Sequence, residues 1–189
     1  LGGPDAERPF WVTCNFDWQW EGDAAVRRFQ ATDQDQIMAL IRGKTLRAYL
    51  WTVLAPSQMF RDVGWFDETL PRMEDLDFFI RFVLKGGRLH LPESEDSLCI
   101  YNKSDRGRDA DEVRACNARI FDKHRVLYTR YGAKFARVQL YNMELHSARY
   151  AAHNHDPRRR RHYLWRAFRQ RPKQSLGRMM TRGLPGGQA

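Results

Sequence analysis

The stretch from Gly64 to Arg81, GWFDETLPRMEDLDFFIR, limits what this chain can fold into more than any other. It places Asp67, Glu68, Glu74, Asp75 and Asp77 close together, with Asp62 just upstream and only Arg72 and Arg81 to offset them. Pro71 interrupts any earlier helix and pushes Leu70 towards an extended conformation. A new helix is therefore expected to start around Glu74 and Asp75. From Leu76 to Lys85 apolar residues recur at helical spacing: Phe79, Ile80, Val83 and Leu84 form one stripe, with Phe78 and Phe82 beside it. Gly86 and Gly87 supply the stop. Asp75 or a neighbour then caps the helix, where a carboxylate meets free amide donors and the positive end of the dipole. Asp77 and Arg81, four apart, suit a surface ion pair.

An FDE turn after Val63-Gly64, an ED pair at a helix start and an Arg six residues on together resemble the acceptor-side signature of family-two glycosyltransferases with the GT-A fold. The resemblance implies an α/β fold: a partial GT-A domain, nucleotide-diphospho-sugar transferase-like with a few strands, over residues 1–110, then a C-terminal helical extension over 111–189. It implies an inverting enzyme that moves a sugar from a nucleotide-sugar donor to a hydroxyl of a glycan or lipid-linked acceptor, in bacterial cell-surface polysaccharide or glycan biosynthesis. In that family the Asp of the ED pair is the catalytic base, a role that falls on Asp75. Glu74, Trp65 and Asp67 would then contact the acceptor. The chemistry needs such a group, because a sugar hydroxyl attacks poorly until its proton is taken. A fixed carboxylate supplies about 10²–10⁴ in rate, and a free Asp, with a pKa of about 3.9, is ionised at neutral pH.

The family's other half carries an Asp-x-Asp motif that holds a divalent metal, Mg or Mn, on the donor diphosphate. No such motif ends an apolar strand here. Asp33-Gln34-Asp35 reads as a helix cap, and Asp75-Leu76-Asp77 lies inside the ED segment. The metal is therefore expected for the full-length enzyme, with no ligand assigned in this chain. The sequence opens LGGPDAERP without Met. The expectation is an acceptor-side half of a longer enzyme, inactive alone.

Elsewhere the pattern predicts a buried strand over Pro9–Cys14, then a loop over Asn15–Asp23. In that loop Trp18 and Trp20 serve either as a platform for a sugar ring or as packing. A helix is predicted over Asp33–Arg42 with Ile37, Met38, Leu40 and Ile41 inward, ended by Gly43. A central strand follows within Leu46–Leu54, a short helix from Pro56 to Phe60, and strands over Arg88–Leu91 and Ser97–Tyr101. The polar loop Asn102–Asp109 offers Arg106 and Arg108 either as donor-diphosphate ligands, by pairing with phosphate oxygens, or as solvated side chains. Relatives often carry a His here; this chain has Asn102, Lys103 and Ser104.

Two long helices are predicted, Asp111–Tyr131 and Lys134–His155, joined at Gly132. A third starts at Asp156-Pro157, with Arg158 to Arg161 outward and Leu164, Trp165 and Phe168 as its apolar stripe. Ser175 caps a last helix bearing Leu176, Met179 and Met180. His124, His146, His153 and His155 read as ordinary helix residues. The formal charge of +9 hides an uneven distribution: residues 157–189 hold ten Lys or Arg and no acid, leaving 22 basic and 23 acidic residues before them. Any charge-driven partner therefore belongs to the tail. That tail suits an anionic membrane surface, or else packs with a solvated basic face. Cys14, Cys99 and Cys116 show no paired framework, which favours a reducing compartment, and no apolar run reaches membrane-spanning length. The expected location is cytoplasmic, peripheral on the inner membrane. Two other readings stand beside the enzyme. One is a non-catalytic α/β domain whose basic tail binds nucleic acid or a membrane, with nucleic acid disfavoured by the acidic centre. The other is a structural α/β domain whose ED turn is only a cap.

Overall fold

A computed structural model describes residues 10–20, 24–33, 35–47, 49–103 and 109–182. The chain is mixed α/β and divides into two compact units, Leu1–Ser104 and Asp105–Ala189. Among the described residues the strands all lie in the first unit, in two three-stranded sheets. In one, β1 (Phe10–Thr13) lies between β4 (Val53–Leu54, antiparallel) and β5 (Arg88–His90, parallel). In the other, β2 (Asn15–Trp20) lies between β3 (Val26–Arg28, antiparallel) and β6 (Ser97–Lys103, parallel). Only Cys14 separates β1 from β2, so consecutive residues of the chain supply the middle strand of both sheets.

Two sequence expectations need correction here. The predicted loop over Asn15–Asp23 is strand as far as Trp20, with Phe16 buried and Trp18 half-buried in register with Cys99 and Tyr101. The alternation of Phe16 and Trp18 with Asp17 and Gln19 is the period-two signal of a sheet. The central strand expected within Leu46–Leu54 is instead a 3₁₀ turn, Leu50–Thr52, followed by the short edge strand β4.

The core of the first unit forms where β1 meets α3 (Glu74–Leu84). The buried Trp11 ring stacks on Phe82 at 4.3 Å and Phe78 at 5.3 Å, and meets Phe79 edge-on at 5.3 Å. The buried face of α3 is therefore Phe78, Phe79, Ile80 and Phe82, whereas Val83 and Leu84 of the predicted stripe lie further out and Leu84 is exposed. Helix α1 (Gln36–Arg42) is capped by Asp35, whose carboxylate accepts from Met38 N–H at 3.0 Å, and ends at Gly43 in the left-handed conformation. Buried Gln36 bonds the Leu89 backbone in both directions, at 2.7 and 2.9 Å, and so occupies the polar groups of β5 that face it.

Asp77 and Arg81 are not a surface pair. Asp77 is 0% exposed, and its carboxylate accepts from Arg81 Nε at 2.9 Å. The rest of the guanidinium reaches the end of α2 (Gln58–Val63) and the turn after it: Nη1 donates to Val63 O at 2.8 Å and Gly64 O at 3.3 Å, and Nη2 to Trp65 O at 2.8 Å. Lys85 Nζ donates to Asp62 O. A helix C-terminus leaves carbonyls without partners, and α3 supplies the cations that satisfy them.

The second unit is helical: α4 (Ala110–Lys123), α5 (Arg125–Arg130), α6 (Ala133–His153), α7 (Pro157–Gln170) and α8 (Pro172–Arg182). The single helix expected from Asp111 to Tyr131 is broken at buried His124. Helix α6 packs against α4, α5 and α7. Its buried Glu144 accepts from Arg114 Nε at 2.8 Å and lies 3.1 Å from Arg166 Nη2. In α7 the buried pair is Tyr163 and Ala167, so the predicted stripe is displaced: Leu164 and Phe168 are half-buried, and Trp165 is 60% exposed. Helix α7 starts at Pro157, where the sequence reading has it, and Asp156 caps it, accepting from Arg159 N–H at 2.9 Å. Ser175 is buried inside α8 rather than at its cap. The side chains of Met179 and Met180 lie outside the described residues.

Removing one partner of a buried pair strands the other charge, at a cost of about 3–5 kcal/mol. Arg81→Met is expected to lose stability in that range by urea denaturation. Arg81→Lys is expected to recover only part of it, since one ammonium cannot span the carboxylate and three carbonyls.

Candidate active site

The candidate site is built from the first turn of α3 outward. Met73, just before the helix, has φ 63° and ψ 18°, a left-handed backbone that a bulky side chain rarely adopts. That twist turns the chain from the Pro71 bend into the helix axis. No side chain at Met73 caps α3. Glu74 and Asp75 open the helix, both half-buried. The Asp75 carboxylate accepts from Leu76 N–H at 2.7 Å, so it satisfies one of the free amides of the helix start. Part of the capping expectation therefore holds, although the carboxylate sits inside the helix rather than at its cap position.

Asp75 has no ion-pair partner among the described residues. Burial pushes its carboxyl up to about 6 from an ordinary value of 3.8; the amide of Leu76 opposes the rise and the charge of Glu74 adds to it. At pH 7 the group remains mostly ionised, yet it binds a proton far better than a free Asp does.

The remaining site residues fall in different places. Asp67 is half-buried and accepts from Thr69 N–H at 3.0 Å and Thr69 Oγ1 at 2.7 Å, a local turn that fixes the FDE segment. Trp65 is 73% exposed, and its backbone rather than its ring is held, by Arg81. Arg106 and Arg108 lie outside the described residues. Among the described residues no group of three His, Cys, Asp or Glu converges as a metal site. The described side chains thus offer no donor set for the divalent ion that the resemblance implies.

Sequence reasoning missed a second group. Tyr49, Trp51 and Tyr101 form a cluster of near-parallel rings: Tyr49–Trp51 centroids are 5.0 Å apart at 10°, Trp51–Tyr101 5.2 Å at 18°, and Tyr49–Tyr101 6.0 Å at 28°. Buried Phe16 of β2 supports them edge-on, 5.6 Å from Tyr49 and 5.2 Å from Trp51. Beside them two guanidinium groups lie over the Trp18 indole, Arg28 at 4.2 Å and Arg47 at 4.5 Å. Trp18 is thereby taken up in packing; the side chain of Trp20 lies outside the described residues. Tyr49 joins the two groups, lying within electrostatic reach of both Arg47 and Asp75. The signal was a Tyr-x-Trp pair in a segment read as an apolar strand. The fold also brings Cys14 Sγ to 3.8 Å from Cys99 Sγ, which residue spacing could not foretell; burial and its neighbour push the Cys14 thiol up to about 11. Both thiols are free.

No family model, curated protein or solved structure matches this chain.

The raised pKa of Asp75 carries a stability cost with a definite sign. The folded state holds the proton more tightly than the unfolded chain between pH 3.8 and about 6, so stability falls as pH rises through that window. Asp75→Asn removes the cost. Thermal or urea denaturation is expected to find the variant about 1–2 kcal/mol more stable than the parent at pH 7.5, with the gain gone below pH 4.

Proposed function

We propose that this chain is the acceptor-side part of an inverting, nucleotide-sugar-dependent glycosyltransferase of GT-A type, with Asp75 as the general base. The observation that carries the reading is the state of that carboxylate. It stands at the head of a rigid helix, half-buried and without a cation partner among the described residues, and is shifted towards neutrality. A carboxylate that served only to cap a helix would gain by being held low, since the amides it meets favour its charged form. A base works best when its pKa lies near the working pH, and burial moves Asp75 in that direction. The acceptor hydroxyl would give its proton to a carboxylate oxygen of Asp75 as its own oxygen bonds to the anomeric carbon. The leaving diphosphate departs from the opposite face. Glu74 beside it adds to the rise of its pKa, and acceptor binding by Glu74, Asp67 and Trp65 is part of the same proposal. The donor diphosphate, its divalent metal and the roles of Arg106 and Arg108 belong to the same proposal.

In the full-length enzyme, Asp75→Asn is expected to lower kcat by about 10²–10⁴ while the fold is retained. Because the base must be deprotonated, the parent's kcat/KM is expected to fall as pH drops through about 6. Near-normal turnover by the variant would leave α3 with a structural role only.

For the second unit the proposed partner is an anionic membrane surface, which would place the enzyme on the cytoplasmic face of the inner membrane. No described helix is long and apolar enough to cross a membrane. What favours surface docking is that α7 and α8 carry exposed apolar side chains, Trp165 and Leu176, on helices that also expose Arg158, Arg160 and Arg161. Each such cation is worth about 1 kcal/mol near an anionic surface. Sedimentation with phosphatidylglycerol vesicles is expected to bring down the intact chain. Trp165→Ala, or the replacement of Arg158, Arg160 and Arg161 by Gln, is expected to weaken that several-fold, and equal sedimentation of all forms would exclude it.

A further inference from the structure

The ring cluster and the arginine pair are not used by the proposed chemistry, yet they are built to stay in place. Thr52 Oγ1 donates to Tyr49 O at 2.8 Å and accepts from Tyr49 N–H at 3.3 Å, and it shares a 3.2 Å hydrogen bond with Thr13 on β1. Cys99 Sγ donates to Trp51 O at 3.3 Å. Buried Gln30 fixes Arg47: its Nε2 donates to Arg47 O at 2.9 Å, and its Oε1 accepts from Arg47 N–H at 2.7 Å. Despite this support the surface is not sealed. Trp51 is 39% exposed, Arg28 is exposed, and Tyr49, Tyr101 and Arg47 are half-buried.

Two cations held over one indole repel each other, and among the described residues neither Arg28 nor Arg47 meets a carboxylate. Nearby Asp17 is already taken, by Ser97 Oγ at 2.5 Å and Arg27 Nε at 3.5 Å. The site therefore has an aromatic surface and an excess of positive charge, and the charges of both Arg47 and Asp75 reach the Tyr49 hydroxyl. An anionic ligand group suits the arginines. The flat C–H face of a pyranose suits the rings. Several negative charges close together would meet the Asp75 carboxylate, which disfavours a polyphosphate.

We infer that Tyr49, Trp51 and Tyr101, with Arg28 and Arg47, form a subsite for an acidic sugar, a pyranose bearing a carboxylate, in the acceptor whose hydroxyl Asp75 deprotonates. The inference deepens the glycosyltransferase reading and rests on it. The ring would lie on Trp51, its carboxylate on the guanidinium pair and a free hydroxyl towards α3.

The test is calorimetric titration of the whole chain with trigalacturonate, cellotriose and uridine diphosphate. Trigalacturonate is expected to bind about tenfold more tightly than cellotriose at low salt, with the preference shrinking at high salt. Arg28→Gln, at an exposed position that leaves the fold intact, is expected to bring the two sugars within about threefold. Trp51→Ala, its folding checked by its thermal midpoint, is expected to weaken both. Equal binding of the two sugars, a preference unchanged in Arg28→Gln, or tighter binding of uridine diphosphate than of trigalacturonate would overturn the subsite. Asp75→Asn is expected to keep the preference for the acid. If that variant still transfers sugar, the subsite stands and the base assignment falls; if transfer is lost but no acid preference exists, the reverse holds.

Discussion

The first unit depends on a charge that is wholly removed from water. Asp77, inside the first turns of α3, is paired there with Arg81 one turn on, at 2.9 Å. Arg81 in turn spends its other donors on three consecutive carbonyls, from Val63 to Trp65. One ion pair thus fastens the end of α2, the start of the FDE turn and the body of α3 into a single piece. A hydrophobic pair of equal volume could fill the space but could not hold the carbonyls. Without that fastening, the direction of Glu74 and Asp75 would depend on the Pro71 bend alone.

Seen this way, the acids of the central stretch divide by environment rather than by sequence. Asp77 is structural, compensated by a full guanidinium. Asp67 closes a turn on Thr69. Asp75 is desolvated without a compensating cation among the described residues, unlike Asp77 two residues on along the same helix, and that contrast is the reason for proposing it as the base. Perturbed groups concentrate at functional sites, although structural networks perturb them as well. The left-handed Met73 directly upstream points the same way, since backbone in sparsely populated regions persists where the surroundings enforce it.

Much of this was legible in the residues. The Pro71 break, the Gly86-Gly87 stop, the Asp35 and Asp156 caps and the helical character of residues beyond 110 all come from local chemistry that tertiary contacts did not override. The errors have a common origin. Asp77 was read as exposed because i,i+4 spacing says nothing about what covers a helix face. Residues 15–20 were read as a loop because Asn15, Asp17 and Gln19 dominate the eye, while Phe16 and Trp18 set the period. The cluster of Tyr49, Trp51, Tyr101, Arg28 and Arg47 draws on positions up to 73 apart in number, and no short-range pattern links them.

The adjacency of β1 and β2 has a further consequence. Trp11 on β1 sets the core against α3, and Phe16 on β2 sets the floor beneath the rings, with four positions of nearly continuous strand between them. That segment acts as a fixed ruler. The rings hang from the 3₁₀ turn and from β6, so their identities are free to change from one descendant to another without disturbing α3. An insertion in the ruler itself would throw both surfaces out of phase at once.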